Sequence, residues 1–277
     1  MSPHPDEPTE LKVALAGFGA IGGALARRLD RGIAGLRLAA ISARNLEKAR
    51  DRADDDLAHP VPVLPPEALP DHADVVVECA PATAFRTIAE PALRAGRILM
   101  PVSVGALLEH ADLIELARTN GVRIVVPTGA LLGLDAVRAA AEGEIHSVRM
   151  ITRKPPGGLA GAPHLERHGI RVEGLSEPLK VFEGTAREGA RGFPANVNVA
   201  AALSLAGIGP DRTRLEIWAD PGVTRNTHRI VVEADSARFE MQIENVPSEE
   251  NPRTGKITAL SVIAALRGLV PSLKIGS

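Results

Sequence analysis

Three glycines near the N-terminus, Gly17, Gly19 and Gly22, have the GxGxxG spacing of a dinucleotide-binding loop. A short apolar run precedes them, and apolar residues with helical spacing follow them. In such a strand–turn–helix, the first glycine permits the tight turn, the second leaves room for a pyrophosphate, and the third lets helix and strand pack closely. The free N–H groups at the helix start would bind the pyrophosphate, and a tight structural turn is the alternative. We expect five residues to contact the cofactor: Gly17, Gly19, Ala20, Ile21 and Gly22.

His228 is the best candidate for acid–base chemistry, because histidine titrates near neutral pH and can move a proton while a hydride leaves. It lies at the head of a predicted strand, 227–233, and a structural histidine is the alternative. His164 and His168 are four residues apart, but neither a third ligand nor an HExxH pattern accompanies them. We therefore expect no metal site.

Two further groups of polar residues have chemical potential. Arg153 and Lys154 place two cations at a strand end followed by prolines, so they would bind substrate carboxylates or form an ordinary solvated turn. Asn196 and Asn198 precede an alanine-rich helix, where an amide would cap the helix or hold a nicotinamide carboxamide or a substrate. Asn226 is a further substrate-binding candidate.

The end of the second predicted strand, Leu36–Ser42, favours NADP. An NAD-specific site usually has an acidic residue here that binds the ribose 2′-hydroxyl. This chain has Ser42 and Arg44 instead, and a hydroxyl with a guanidinium suits a 2′-phosphate. We predict that NADP is used at least as well as NAD. The alternative is that Arg44 is a solvated residue ahead of the next helix.

The elements that must position these residues fall into two regions. Up to residue 127, predicted strands and helices alternate, which is typical of an α/β doubly wound parallel sheet of the Rossmann type. Its later strands are predicted at 74–80, 96–103 and 121–127. Cys79 and Ala80 end the first of these, where ligands of such sheets collect, so we count them among the cofactor contacts. Packing is the alternative role for Cys79.

The second region has the pattern of an α+β domain. Four strands are predicted, of which the last two alternate as in an antiparallel sheet with one open face; they are 146–152, 215–219, 227–233 and 237–244. A helix is predicted at 197–206, and a last helix at 258–269 is expected to pack back on the first domain. The predicted organisation is a loose tail at 1–10, a dinucleotide-binding domain at 11–134 plus 252–277, and a catalytic and dimerisation domain at 135–251.

The composition excludes several classes of protein. A net charge of −2 provides no basic surface for nucleic acid, and aromatic residues make up only 2% of the chain. The single cysteine excludes an intrachain disulfide and fits a reducing compartment. Since there is neither an apolar run of membrane-spanning length nor a signal-peptide pattern, we expect a cytoplasmic protein.

Six motifs, in their order along the chain, resemble the L-aspartate dehydrogenase family over nearly its whole length. After the GxGxxG turn they are Val-Ser-Val-Gly-Ala at 102–106, Thr-Gly-Ala-Leu-Leu-Gly-Leu-Asp-Ala at 128–136, Thr-Arg-Lys-Pro-Pro at 152–156, Phe-Pro-Ala-Asn-Val-Asn at 193–198, Arg-Asn-Thr-His at 225–228 and Asn-Pro-Arg-Thr at 251–254. Thr128 replaces the usual serine, and Leu132 stands where glycine is common.

The resemblance implies a Rossmann domain, a second domain similar to that of dihydrodipicolinate reductase, and a homodimer. It also implies oxidation of L-aspartate by NAD or NADP to iminoaspartate, which hydrolyses to oxaloacetate and ammonia, or the reverse reaction. In the family, the imine can feed NAD biosynthesis. His228 matches the family's active-site histidine. Ala130 and Asn198 match its cofactor-contacting residues, with Asn196 as the other candidate asparagine.

Two alternatives remain open. One is another NAD(P)-dependent amino-acid or imino-acid dehydrogenase or reductase of the same architecture, although the paired histidine and lysine motif of dihydrodipicolinate reductase is absent. The other is a non-catalytic sensor that binds NADP.

Overall fold

A computed structural model describes residues 10–194, 197–251, 254–270, 273 and 275. The predictions for the tail at 1–9, for Asn196 and for positions 252–253, 271–272, 274 and 276–277 lie outside the described residues.

The first part of the chain alternates strands and helices, as the sequence predicts. In chain order its elements are β1 (Leu11–Ala16), α1 (Ala20–Asp30), β2 (Leu36–Ser42), α2 (Leu46–Asp56), α3 (Leu69–His72), β3 (Val75–Glu78), α4 (Phe85–Arg94), β4 (Ile98–Pro101), α5 (Val104–Glu109) and α6 (Asp112–Thr119). The four strands form a parallel sheet in the order β2-β1-β3-β4. Because the order reverses beside β1, ligands are expected at the carboxyl ends of β1 and its neighbours.

The predicted fifth strand of this sheet, 121–127, is wrong in extent. The structure has a single parallel bridge there, between Leu99 and Ile124. Pro101 ends β4, and Pro127 ends the predicted segment. Since proline has no N–H to donate to a ladder, the two segments pair only over a short length.

The second part of the chain contains a mixed sheet. Its elements are α7 (Leu134–Ala140), β5 (Ile145–Lys154), α8 (Pro163–His168), β6 (Leu179–Thr185), α9 (Ala186–Gly192), α10 (Asn198–Ala206), β7 (Arg214–Ala219), β8 (Asn226–Ala234), β9 (Arg238–Asn245) and α11 (Lys256–Arg267). The strand order is β6-β7-β5-β8-β9, with β5 and β7 parallel and the other neighbours antiparallel. The four predicted strands are present, whereas β6, α5, α8 and α9 are not predicted from the sequence.

Contacts divide the chain into two compact units. The first extends to Val102 and includes Ala111–Val125 and Val262–Leu273, and the second includes Ser103–His110 and Val126–Ser261. The domain ranges predicted from the sequence differ from this division at 103–110, 126–134 and 254–261.

Each unit has an aliphatic core. In the first unit, β3 is buried along its whole length, and Val262 and Leu266 of α11 are buried in the same core, so the last helix packs on this sheet as predicted. In the second unit, β5 and β8 contribute buried residues such as Met150 and Ile230. Among the described residues, no helix has both the length and the apolar character needed to cross a membrane.

Candidate active site

The glycine turn of the first unit has two glycines that the fold itself requires. Gly17 has a φ of +119°, and a Cβ there would lie 2.5 Å from the Cys79 carbonyl oxygen. A Cβ on Gly22 would lie 1.9 Å from the Gly17 carbonyl oxygen. Gly19 is different, because a Cβ there would meet nothing within 4 Å. The free space is therefore at the middle glycine, where a pyrophosphate needs it.

Helix α1 begins directly after Gly19, which has no side chain to cap it. The first intrahelical bond of the turn is donated by Gly23 N–H to the Gly19 carbonyl oxygen, at 2.7 Å. The N–H groups of Ala20, Ile21 and Gly22 precede that bond and have no intrahelical acceptor. A helix start of this kind favours an anion, so these residues fit the pyrophosphate of a dinucleotide.

Ser42 ends β2, where it pairs with Ala16 directly before this turn, and Arg44 follows two residues later. Ser42 is buried, and its carbonyl oxygen accepts a hydrogen bond from Gly17 N–H at 2.8 Å. Arg44 is exposed and directly precedes Asn45, whose side chain accepts from Lys48 N–H and caps α2. An exposed guanidinium is compatible both with 2′-phosphate binding and with the solvated alternative, so the NADP preference stays a prediction.

Cys79 supports the turn from the end of β3. Its thiol donates to the Gly17 carbonyl oxygen at 3.2 Å, while Ala80 N–H donates to the fully buried Glu78 carboxylate at 3.0 Å. Burial, together with the charge of Glu78, raises the pKa of the Cys79 thiol. A thiol that stays protonated is not a nucleophile, so this geometry favours the packing role.

In the second unit, adjacent strands bring together residues that are far apart in sequence. The antiparallel register of β5 and β8 places Thr152 directly opposite His228. Both residues are buried, and Thr152 Oγ1 lies 3.1 Å from His228 Nδ1. Burial, with a smaller effect of the Lys154 charge, lowers the pKa of His228 to about 3. The imidazole is therefore neutral at neutral pH.

Lys154 lies two residues beyond Thr152, on the same buried face of β5. Only 5% of the residue is exposed, and burial lowers its pKa to about 8. The side chain is still mostly cationic at neutral pH, and its charge reaches His228. This face of the sheet therefore combines a neutral imidazole with a buried ammonium group.

Arg153 does not join them, although it was grouped with Lys154 from the sequence. Side chains alternate along a strand, so Arg153 lies on the other face of β5. Its guanidinium forms an ion pair with Asp220 at 2.8 Å and lies over the Trp218 ring, 4.9 Å from the ring centre. An arginine with these two partners is not placed to bind a ligand beside His228.

Asn226 begins β8, two residues before His228 and on the same side of the strand. In the register of β8 and β9 it lies opposite Asn245, a buried residue that the sequence analysis missed. Asn245 Nδ2 donates to the Ala130 carbonyl oxygen at 3.1 Å, and this bond fixes Ala130 against the end of β9. The sequence signal that could have identified Asn245 is its position directly after the alternating strand predicted at 237–244.

The turn that contains Ala130 is rigidly built. Gly129 N–H donates to Ser261 Oγ at 3.0 Å. Gly133 has a φ of +67°, a left-handed conformation that favours glycine, and a Cβ there would lie 1.9 Å from Met241 Sδ, so a larger residue would strain the backbone and displace the Met241 side chain. Gly129 also has a positive φ, of +65°, although a Cβ there would meet nothing within 4 Å, so both glycines of this motif have a backbone reason.

Asn198 is the first residue of α10, and its Oδ1 accepts a hydrogen bond from Gly105 N–H at 3.0 Å. The N-cap position of α10 is Val197, without a side-chain cap, so Asn198 does not cap this helix. Instead it joins α10 to α5, which explains why 103–110 belongs to the second unit. Its contact with a cofactor stays a prediction.

A parallel sheet with a dinucleotide turn, in a chain whose second unit buries an imidazole and an ammonium group, defines a nicotinamide-dependent oxidoreductase. The comparisons with known proteins agree. Residues 17–127 match the NAD-binding domain of homoserine dehydrogenase, and residues 135–269 match the C-terminal domain of aspartate dehydrogenase.

Relatives and solved structures make the assignment specific. The chain is 59% identical to an L-aspartate dehydrogenase of Bradyrhizobium diazoefficiens, over 97% of this chain and 95% of the relative. It is 56% identical to L-aspartate dehydrogenase 3 of Bordetella bronchiseptica, over 97% of this chain and 98% of that one. The chain therefore belongs to the L-aspartate dehydrogenase family, as its motifs predicted, and its cofactor is NAD or NADP.

The fold is shared with a solved structure of aspartate dehydrogenase from Thermotoga maritima. The TM-score is 0.74 at 23% identity, over 96% of this chain and all of the other, and this likeness confirms the fold class.

Proposed function

We propose that this chain catalyses the NAD(P)-dependent oxidation of L-aspartate to iminoaspartate, which hydrolyses to oxaloacetate and ammonia, or the reverse reductive amination. The observation that carries the proposal is the buried, neutral His228 beside the buried cation Lys154, in a chain with a dinucleotide turn. Family membership supports the choice of aspartate.

The cofactor, when bound, supplies a nicotinamide ring that accepts the hydride from Cα of the substrate. The chain's own residues do the rest. The α1 N-terminus holds the pyrophosphate, with Gly19 leaving room for it. The Lys154 ammonium attracts a substrate carboxylate, and the Asn226 amide contacts the substrate from the same face of the sheet.

His228 takes part in acid–base chemistry through Nε2, the ring nitrogen that does not face Thr152. A base role at Nε2, on the amino group that must be neutral when the hydride leaves or on the water that hydrolyses the imine, needs the lone pair there. A donor role toward a substrate oxygen needs the proton there. A neutral imidazole suits both tasks better than an imidazolium, which would repel the neighbouring Lys154 cation.

The proposal extends to the coenzyme, the location, the assembly and the use of the product. The exposed Arg44 supports a preference for NADP. The family resemblance supports a homodimer and a supply of iminoaspartate for NAD biosynthesis, and the single cysteine fits a cytoplasmic location.

A second candidate is the dehydrogenation of a related amino acid with a single carboxylate. The position of Arg153 favours it, because Arg153 is paired with Asp220 on the other face of β5. Of the two cations predicted to bind carboxylates, only Lys154 lies on the face that carries Thr152.

A substrate panel tests the proposal. Purified chain is given NADPH or NADH with ammonia and one keto acid at a time: oxaloacetate, pyruvate or 2-oxoglutarate. Coenzyme oxidation that is fastest with oxaloacetate supports the proposed function, whereas a preference for a monocarboxylic keto acid favours the second candidate. If no keto acid oxidises the coenzyme, the non-catalytic sensor is the better description.

A further inference from the structure

The hydroxyl group of Thr152 has a restricted choice of partners. Only 2% of the residue is exposed, and across the described part of the chain the hydrogen-bond partner of Oγ1 is His228 Nδ1 alone. A buried hydroxyl that cannot donate its hydrogen loses the solvation that water would give it. The Thr152 O–H therefore has one acceptor available, the Nδ1 lone pair.

The two possible tautomers of His228 differ in this respect. With its proton on Nε2, the imidazole accepts the Thr152 O–H at Nδ1, and both groups are satisfied. With its proton on Nδ1, the imidazole donates to Oγ1, and the Thr152 hydrogen is left without an acceptor among the described residues. The Thr152 hydroxyl therefore stabilises the neutral tautomer with its proton on Nε2 over the tautomer with its proton on Nδ1.

The second ring nitrogen is available for a ligand. In the described ranges, no hydrogen bond to His228 Nε2 is found, and Nε2 is not among the atoms that are wholly enclosed without a partner. His228 thus has one nitrogen committed to the protein and one open.

We propose that Thr152 is a positioning residue that holds His228 in the tautomer with its proton on Nε2, so that the imidazole presents an N–H donor to an oxygen of the substrate. This inference rests on the proposed function for the identity of that oxygen. In reductive amination, it is the keto oxygen of oxaloacetate. When this oxygen accepts a hydrogen bond, the carbonyl carbon becomes more electrophilic. Thr152 itself contacts neither the substrate nor the reacting atoms.

The test reads the tautomer directly. The full chain is labelled with ¹⁵N-histidine, and two-bond ¹H–¹⁵N correlations distinguish a proton on Nε2 from one on Nδ1. The His228 signals are identified by their loss in His228→Gln. Three variants are compared with the wild type: Thr152→Val, which keeps the shape and removes the hydroxyl; Thr152→Ser, which keeps the hydroxyl; and Thr227→Val, a control at the neighbouring position on the other face of β8.

We expect the Nε2–H pattern in the wild type, in Thr152→Ser and in Thr227→Val, and a mixture with the Nδ1–H form in Thr152→Val. The same Thr152→Val variant should have a kcat about tenfold lower, the equivalent of one lost hydrogen bond, with an unchanged Kd for the coenzyme. Thr152→Ser should recover most of that loss.

An Nδ1–H pattern in the wild type overturns the proposal. So does a Thr152→Val variant that keeps both the Nε2–H pattern and the wild-type kcat. If the tautomers behave as expected but the wild type turns over neither oxaloacetate nor aspartate, the proposed function fails and the positioning by Thr152 stands.

Discussion

The two units offer different means of holding a ligand. In the first unit the site consists of backbone: N–H groups at the start of α1, and glycines that keep side chains out of the way. In the second unit the site consists of side chains, Thr152, Lys154 and His228, which two strands place on one buried face. A backbone site depends on a few consecutive residues, whereas a side-chain site depends on register over long distances. Substitutions should therefore separate cofactor binding from turnover.

The largest expected effect is the loss of turnover in His228→Ala. We expect kcat to fall by roughly 10²–10⁴-fold, the usual contribution of one proton-handling group. The Kd for NADPH should not change, because the substitution leaves the glycine turn that binds the coenzyme unaltered. His146→Ala, at an exposed histidine near the start of β5, is the matched control. Near-wild-type turnover in His228→Ala would remove His228 from the mechanism.

The next largest effects distinguish Gly22, which the fold requires, from Gly19, which leaves room for the coenzyme. Gly22→Ala places a Cβ 1.9 Å from the Gly17 carbonyl oxygen, so the free energy of unfolding should fall by about 1–3 kcal/mol. Gly19→Ala meets nothing within 4 Å in the protein, so stability should stay near the wild-type value. Its methyl group instead occupies pyrophosphate space and should raise the Kd for NADPH about tenfold. Denaturant unfolding and fluorescence titration measure the two quantities, and wild-type coenzyme affinity in Gly19→Ala would contradict this assignment.

Lys154 and Arg153 test the two faces of β5. Lys154→Met should raise the KM for aspartate about tenfold, since a partly buried ion pair with a carboxylate is worth on the order of 1–2 kcal/mol. Arg153→Met should leave that KM unchanged, because its partners are Asp220 and Trp218. An unchanged KM in Lys154→Met would contradict the assignment of the substrate carboxylate.

The pH dependence of the same pair sharpens the test. The pKa of Lys154 is lowered to about 8, so its cation is present below that pH and is lost above it. The wild-type KM for aspartate should therefore rise as pH increases beyond about 8 and level off about tenfold higher, near the KM of Lys154→Met. In Lys154→Met this rise should be absent, and steady-state kinetics over a range of pH would show it.

The smallest effect concerns the cofactor. Arg44→Ala should raise the KM for NADPH several-fold, about the value of an exposed charge pair with a phosphate, and leave the KM for NADH unchanged. Arg50→Ala, at an exposed arginine of the following helix, is the control. Equal changes in KM for NADPH and NADH would mean that Arg44 does not bind the 2′-phosphate.

The sequence was sufficient where the signal is local. The glycine spacing predicted the strand–turn–helix, and alternating elements predicted the parallel sheet, because both depend on neighbouring residues. The predicted fifth strand failed because the prolines that limit pairing lie in two separate segments. The grouping of Arg153 with Lys154 failed because the strand was expected to end at residue 152. The structure extends β5 to Lys154, so the two cations alternate between faces.

The rest of the site could not be predicted because it depends on register. Thr152 and His228 are 76 residues apart and meet because β5 and β8 pair in one alignment out of many. A shift of one residue would turn His228 to the other face. Asn245 and Ala130 also come together only through the end of β9.

The most direct test of the account follows one hydrogen atom. L-Aspartate carrying deuterium at Cα is incubated with NADP and the chain, and the reduced coenzyme is analysed by mass spectrometry. The account predicts that the deuterium appears in the reduced coenzyme with the wild type, and that His228→Ala binds NADPH normally but transfers the label far more slowly. Coenzyme that is reduced without the label, or not reduced by aspartate at all, would contradict it.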